Sequence, residues 1–120
     1  MTELYVGNLS DDLVNLTLQM CGKKDDERPR FPRQFYDTYV RRIIDSALDI
    51  QRNVFLANES VDVSERKKYQ QSAMSECVYL NHLVRTAHDG KWISDKQRDT
   101  WVTLITKVRF VVKAWRDKTG

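Results

Sequence analysis

Two histidines, two cysteines and a scatter of carboxylates are the residues from which this 120-residue chain would have to build an active site. His82 and His88 stand six residues apart in one helical pattern. At about 100° per residue they point about 120° apart, too far round a helix to share a metal ion. There is no third histidine, and no carboxylate stands four residues from either one. Cys21 and Cys77 fit no zinc or redox spacing. They are expected to be reduced, half-buried thiols that pack like small hydrophobes in a cytoplasmic protein. Asp45 and Asp49 are neighbours on a polar helix face, where exposure accounts for them. The four glycines are too scattered for a phosphate-cradling loop, and no serine or cysteine lies in a nucleophile motif. The expectation is a protein that is not an enzyme and needs no metal or cofactor.

Charge offers more. Residues 1–21 hold three acids and no bases (−3), residues 22–42 seven bases and four acids (+3). Residues 43–84 hold four bases and six acids (−2), residues 85–120 nine bases and four acids (+5). On a helix, Arg98, Arg109 and Arg116 fall within about 20° of one another, with Lys113 beside them. Arg41 and Arg52, eleven residues apart, make a second such line. Phosphates require positive charge at rough spacing, so a track for RNA or DNA is one reading. A solvated face paired with the acidic segments, or with Asp and Glu of neighbouring subunits, is the other. Glu76 falls between Tyr69 and Leu83 on an apolar face, where a structural ion pair with an arginine is expected. Leu56, Val78 and Phe110 point away from the apolar faces of their helices, one per long helix, and suggest an oligomer interface.

The elements that would carry these residues are helical. Few glycines and prolines argue against a β-sandwich. No apolar run approaches the ~18 residues of a membrane span, and the N-terminal residues do not read as a signal peptide. The pattern predicts helices over about 11–21, 32–58, 64–89 and 95–118 in one domain, residues 1–120. Ser10 is a candidate N-cap of the first, before Leu13, Leu16 and Met20, and Gly22 a stop. Residues 23–31 read as a charged loop, and Pro32 suits the first turn of the second helix. Asp62 with Glu65, and Ser94 with Gln97, read as capping boxes, with Gly90 closing the third helix. The core stripe of the last helix is Trp101, Leu104, Ile105, Val108, Val111, Val112 and Trp115. Short connections favour an all-α, antiparallel up-and-down four-helix bundle.

Three stretches resemble a known superfamily. They are Phe31-Pro32-Arg33 leading to Arg41-Arg42-Ile43-Ile44-Asp45-Ser46-Ala47 and Ala57-Asn58-Glu59; then Tyr69, Ala73, Ser75-Glu76, Leu80 and Leu83-Val84-Arg85-Thr86-Ala87; then Trp92-Ile93-Ser94-Asp95-Lys96-Gln97 with Leu104, Val108, Val111 and Trp115-Arg116. Over residues 31–118 the chain is similar to the four-helix proteins of ribosomal RNA intervening sequences and to the accessory variability determinant proteins of diversity-generating retroelements. The capped helix ending in tryptophan is closer to the latter. The resemblance implies a bundle assembled as a homo-oligomer, a basic pentameric ring. It also implies binding to RNA or DNA and to a partner reverse transcriptase that performs the chemistry, without a membrane. By the same resemblance, Arg41, Arg52, Arg85, Arg98, Arg109, Lys113 and Arg116 are candidate nucleic-acid or polymerase contacts. An intervening-sequence-type protein and a structural, protein-interaction oligomer remain the alternatives.

Overall fold

The computed structural model describes residues 2–22 and 30–120. Four helices account for most of them: α1 (Thr2–Met20), α2 (Arg41–Glu59), α3 (Val63–Asp89) and α4 (Asp95–Asp117). Each packs on its neighbours in sequence, and α1 closes against α4. The directions alternate. Asp11 meets Gln51 while the Glu3 carbonyl meets Asn58, and Tyr39 reaches Leu83 while Arg66 reaches Ala57. The result is the all-α up-and-down bundle expected from the sequence, 48 × 25 × 21 Å. No described helix is long and apolar enough to cross a membrane.

The core follows the helical period. Ile43, Ala47, Ile50, Val54 and Ala57 come from α2, and Ala73, Cys77, Leu80, Val84 and Ala87 from α3. From α4 come Trp101, Ile105, Val108, Val112 and Trp115; Leu104 and Val111 pack half-buried at its edge. Trp101 is fully buried, so its indole N–H needs an acceptor, since an unpaired buried donor is costly. It donates to Thr17 Oγ1 of α1 at 3.1 Å.

The first helix begins nine residues earlier than its cap signal suggests. Ser10 is not an N-cap; it lies inside α1, buried, and its hydroxyl donates to the Gly7 carbonyl at 2.8 Å. Val6 and Leu9 continue the period of Leu13 toward the N-terminus. Their burial outweighs the weak helix propensity of Gly7, Asn8 and Ser10. Residues 23–29 of the charged loop lie outside the described residues. Pro32 stands just before a 3₁₀ turn (Arg33–Phe35), which leads into a π-helical turn (Tyr36–Val40) and then α2. That turn sets Tyr39 so that its hydroxyl donates to the Leu83 carbonyl at 2.6 Å and its ring lies 5.5 Å from Trp92. Phe31 and Phe35 also pack on Trp92, at 5.5 and 5.3 Å between ring centres.

The Ser94–Gln97 box forms both of its hydrogen bonds, whereas Asp62 caps α3 by accepting from the Glu65 amide without the reciprocal bond of a box. Gly90 follows α3 with an ordinary negative φ; the left-handed residue is Lys91 (φ 64°). Gly90 also leaves room for a neighbour. A Cβ there would stand 3.1 Å from the Trp92 ring, which folds back over it, so a larger residue needs the ring to give by a few tenths of an ångström.

These contacts predict a thermodynamic coupling. Thr17→Val leaves the Trp101 N–H buried without an acceptor and costs about 1–3 kcal/mol. Trp101→Phe leaves a void as well and costs about 2–4 kcal/mol. In urea unfolding the double variant loses less than the sum of the two singles, because the second change removes a group already orphaned by the first.

Candidate nucleic-acid interface

The basic residues of α4 face the α3 side of the bundle, and α3 contributes Arg85 to the same edge. Arg85 and Arg98 line one cleft of about 540 Å³, together with His88, Asp89, Asp99 and Val102. Arg98 is not free there. Its Nη2 lies 3.0 Å from Asp99 Oδ1, and its Nη1 stands 3.3 and 3.4 Å from the two ring nitrogens of His88. Near-equal distances to both nitrogens place the guanidinium over the imidazole face, as a stack rather than a bond to one lone pair. Arg85 is exposed, and its Nε donates to Asn81 Oδ1 at 3.2 Å.

His88 also ties the two helices together across their turn. Its Nε2 is hydrogen-bonded to Asp95 Oδ1, in the first turn of α4. That bond, then the charge of His88 and that of Arg98, holds the Asp95 carboxyl below the ordinary range. The sequence shows this contact only indirectly, through a histidine in the last turn of one helix and an aspartate opening the next.

Farther along α4, Arg109 is exposed, 5.8 Å over the Phe110 ring, and Arg116 is half-buried. Lys113 pairs with Asp117 at 3.0 Å, an i,i+4 contact of the kind worth little at a surface. The structure thus brings Arg85, Arg98, Arg109 and Arg116 to the α3–α4 edge. It leaves Arg41 and Arg52 elsewhere: both are exposed on α2, and Arg52 borders a groove against α1. The sequence pattern joined all of them by charge; the bundle separates them by face.

Three other expectations take a definite place. Glu76 is half-buried and forms no ion pair among the described residues, in place of the expected arginine contact; its charge is felt by the adjacent Cys77 thiol. Val78 and Phe110 are exposed, at 52% and 59%. Leu56 is half-buried. The exposed apolar side chain of that turn is Phe55, at 60%. Phe55 shares the α1-side edge of α2 with Gln51 and Asn58, whereas Leu56, one residue on, turns to the opposite edge toward α3. Both cysteines are buried free thiols, and burial pushes each up to about 12, with Arg109 opposing at Cys77. Among the described residues no group of three His, Cys, Asp or Glu side chains is placed to hold a metal.

Two measurements follow. Asp95 is depressed in the folded chain, so its contribution is present above the ordinary aspartate pKa, about 4, and is lost as pH falls through the lower folded value. The stability gap between the protein and Asp95→Asn, measured by urea unfolding against pH, is therefore full at neutral pH and closes in acid. Cys21 and Cys77, protonated and enclosed, react slowly with iodoacetamide at about pH 8 in the native protein and fully once unfolded.

No family model matches the chain, and no curated protein matches it in sequence. The fold does have a counterpart. It is similar to the crystal structure of a protein of unknown function from the S23 ribosomal protein family of Bacteroides thetaiotaomicron. The TM-score is 0.82 over 98% of this chain and 100% of that one, at 11% sequence identity. The chain is thus a four-helix protein with the fold of an S23 ribosomal protein family member.

Proposed function

We propose that the chain is a non-enzymatic nucleic-acid-binding protein that holds phosphates along the α3–α4 edge. The observation that carries this reading is the line of guanidinium groups at Arg85, Arg98, Arg109 and Arg116. From Arg98 to Arg116 the helix rises about 27 Å, long enough to meet several phosphates of a single strand. Asp89, Asp95 and Asp99 crowd the Arg98 end, so the contacts farthest from those carboxylates fall to Arg109, exposed, and Arg116, half-buried. The likeness of fold to an S23 ribosomal protein family member supports the ribosomal RNA intervening-sequence kind of protein as its nearest functional setting.

A second reading is a retroelement accessory protein that also docks a reverse transcriptase. It is favoured by the fully formed Ser94–Gln97 capping box and the α4 stripe that ends in the buried Trp115, the features of the retroelement resemblance. In either setting a homo-oligomer, a pentamer by that resemblance, would multiply a weak monomer charge; five +3 chains carry +15. Val78 and Phe110 are the exposed apolar residues on the side available for such contacts.

The test is a titration against short single-stranded RNA and DNA at several salt concentrations, with the mass in solution measured alongside. Binding weakens with salt, and Arg109→Ala with Arg116→Ala lowers the log–log slope by about 0.7 for each phosphate contact removed. A folded double variant with unchanged affinity and slope moves the function away from this edge.

A further inference from the structure

Phe110 is one of the most exposed apolar side chains of the molecule, at 59%. It stands opposite the core stripe of α4, so the packing of the bundle gains nothing from it. Its surroundings are cationic. Arg109 holds its guanidinium over the ring, 5.8 Å from the centroid. One turn to either side, α4 presents Thr106, Lys107, Lys113 and Ala114, of which the last three are exposed. The carboxylates on that face of α4, Asp99 and Asp117, are already paired, with Arg98 and Lys113, each at 3.0 Å. Across the edge, Val78 is 52% exposed and lies seven residues from Arg85, on the same face of α3. It is level with Arg109, whose charge is felt at the neighbouring Cys77 thiol.

We infer that Phe110 is a stacking platform for an unpaired base, so that the α3–α4 edge selects single-stranded over duplex nucleic acid. The inference rests on the phosphate-binding reading of this edge and deepens it. Arg109 and Arg116 face α3, and Phe110, next in the chain after Arg109, points about 100° farther round α4. A strand whose phosphates follow the arginines therefore has its bases on the side where the ring stands. Bases in a duplex are covered on both faces by their neighbours; an unpaired base can give one face to an aromatic side chain. Every base has such a face, so the contact adds affinity without reading sequence. Two features favour this occupant over a protein. Whatever covers the ring must also meet Lys107, Arg109 and Lys113, which suits a polyanion. The apolar area is also small. A specific protein interface takes about 800 Å² from each partner. An aromatic side chain supplies at most about 250 Å², and only Val78 and Ala114 extend it here. A single base needs no more than the ring.

Three probes test this: a deoxythymidine strand of about twelve nucleotides, an abasic strand of the same length, and the deoxythymidine strand annealed to its complement. Each is titrated at several salt concentrations, with the mass in solution measured alongside. Phe110→Leu keeps an apolar side chain but removes the aromatic face, and Phe110→Tyr keeps the face. Both keep the unfolding midpoint, because the side chain stands outside the core. Phe110→Leu is expected to weaken the deoxythymidine strand about tenfold at unchanged salt slope, and to leave the abasic strand and the duplex as they were. Phe110→Tyr binds all three as the parent protein does. An equal loss on the abasic strand, or no loss on the deoxythymidine strand, overturns the inference. In that second case the Arg109→Ala, Arg116→Ala variant still reports on phosphate binding by itself. Absence of binding to all three probes removes the phosphate reading, and the inference with it. A fall in the mass of Phe110→Leu overturns the inference too, because the ring then belongs to a contact between copies of the chain.

Discussion

The bundle depends on closing its first helix against its last, and that closure turns on one buried polar contact. Trp101 is the largest side chain fully enclosed in the core, and indole cannot be buried there without an acceptor for its N–H. Thr17 supplies it from 84 positions away. A purely apolar α1 would pack equally well by area but would leave the donor orphaned. The threonine therefore fixes the height of α1 against α4 as well as their contact. With those two set, α2 and α3 complete the square through the Tyr39 hydroxyl at one end and Arg66, donating to the Ala57 carbonyl, at the other.

How much of this is legible in the sequence depends on whether the signal is local. The Ser94–Gln97 box and the Asp62 cap act within four residues, so their patterns translate directly into hydrogen bonds. The start of α1 is not local. Ser10, Asp11 and Asp12 carry the marks of a helix beginning, yet Val6 and Leu9 are buried by α2 and α4, and tertiary packing extends the helix through weak formers. Trp92 is equally opaque: only the folded chain gathers Phe31, Phe35 and Tyr39 around it and sets Gly90 close beneath it. The choice between Leu56 and Phe55 fails for a related reason. Both lie about equally far from the centre of the apolar face, and only the position of α3 decides which edge is covered.

Charge shows the same limit. A wheel places Arg98, Arg109 and Arg116 in one line, but it cannot show that the turn after α3 brings Asp89, Asp95 and Asp99 to one end of that line. There Arg98 is stacked on His88 and paired with Asp99, and it serves the α3–α4 junction first. The positive field is left strongest toward the C-terminal half of α4. The opposite error occurs at Glu76, where the pattern demanded a partner that partial exposure makes unnecessary, because water reaching a half-buried carboxylate removes most of the desolvation cost.

The arrangement of helices also separates two kinds of surface. The guanidinium line lies where α3 meets α4, and the apolar groove lies where α1 meets α2, on opposite sides of a molecule only 21–25 Å thick. An extended strand along the guanidinium line would therefore leave the groove uncovered. The contact energies of the two surfaces would differ in kind. Phosphate contacts weaken as salt rises, whereas burial of Leu4 and Phe55 does not. Arg52, detached by the fold from the other arginines, belongs by position to the second surface, where it shares the lining with Glu3, Leu4, Asp11, Phe55 and Asn58. A charge at the edge of an apolar groove selects among partners more than it strengthens any of them, because the wrong sign would be desolvated unpaired.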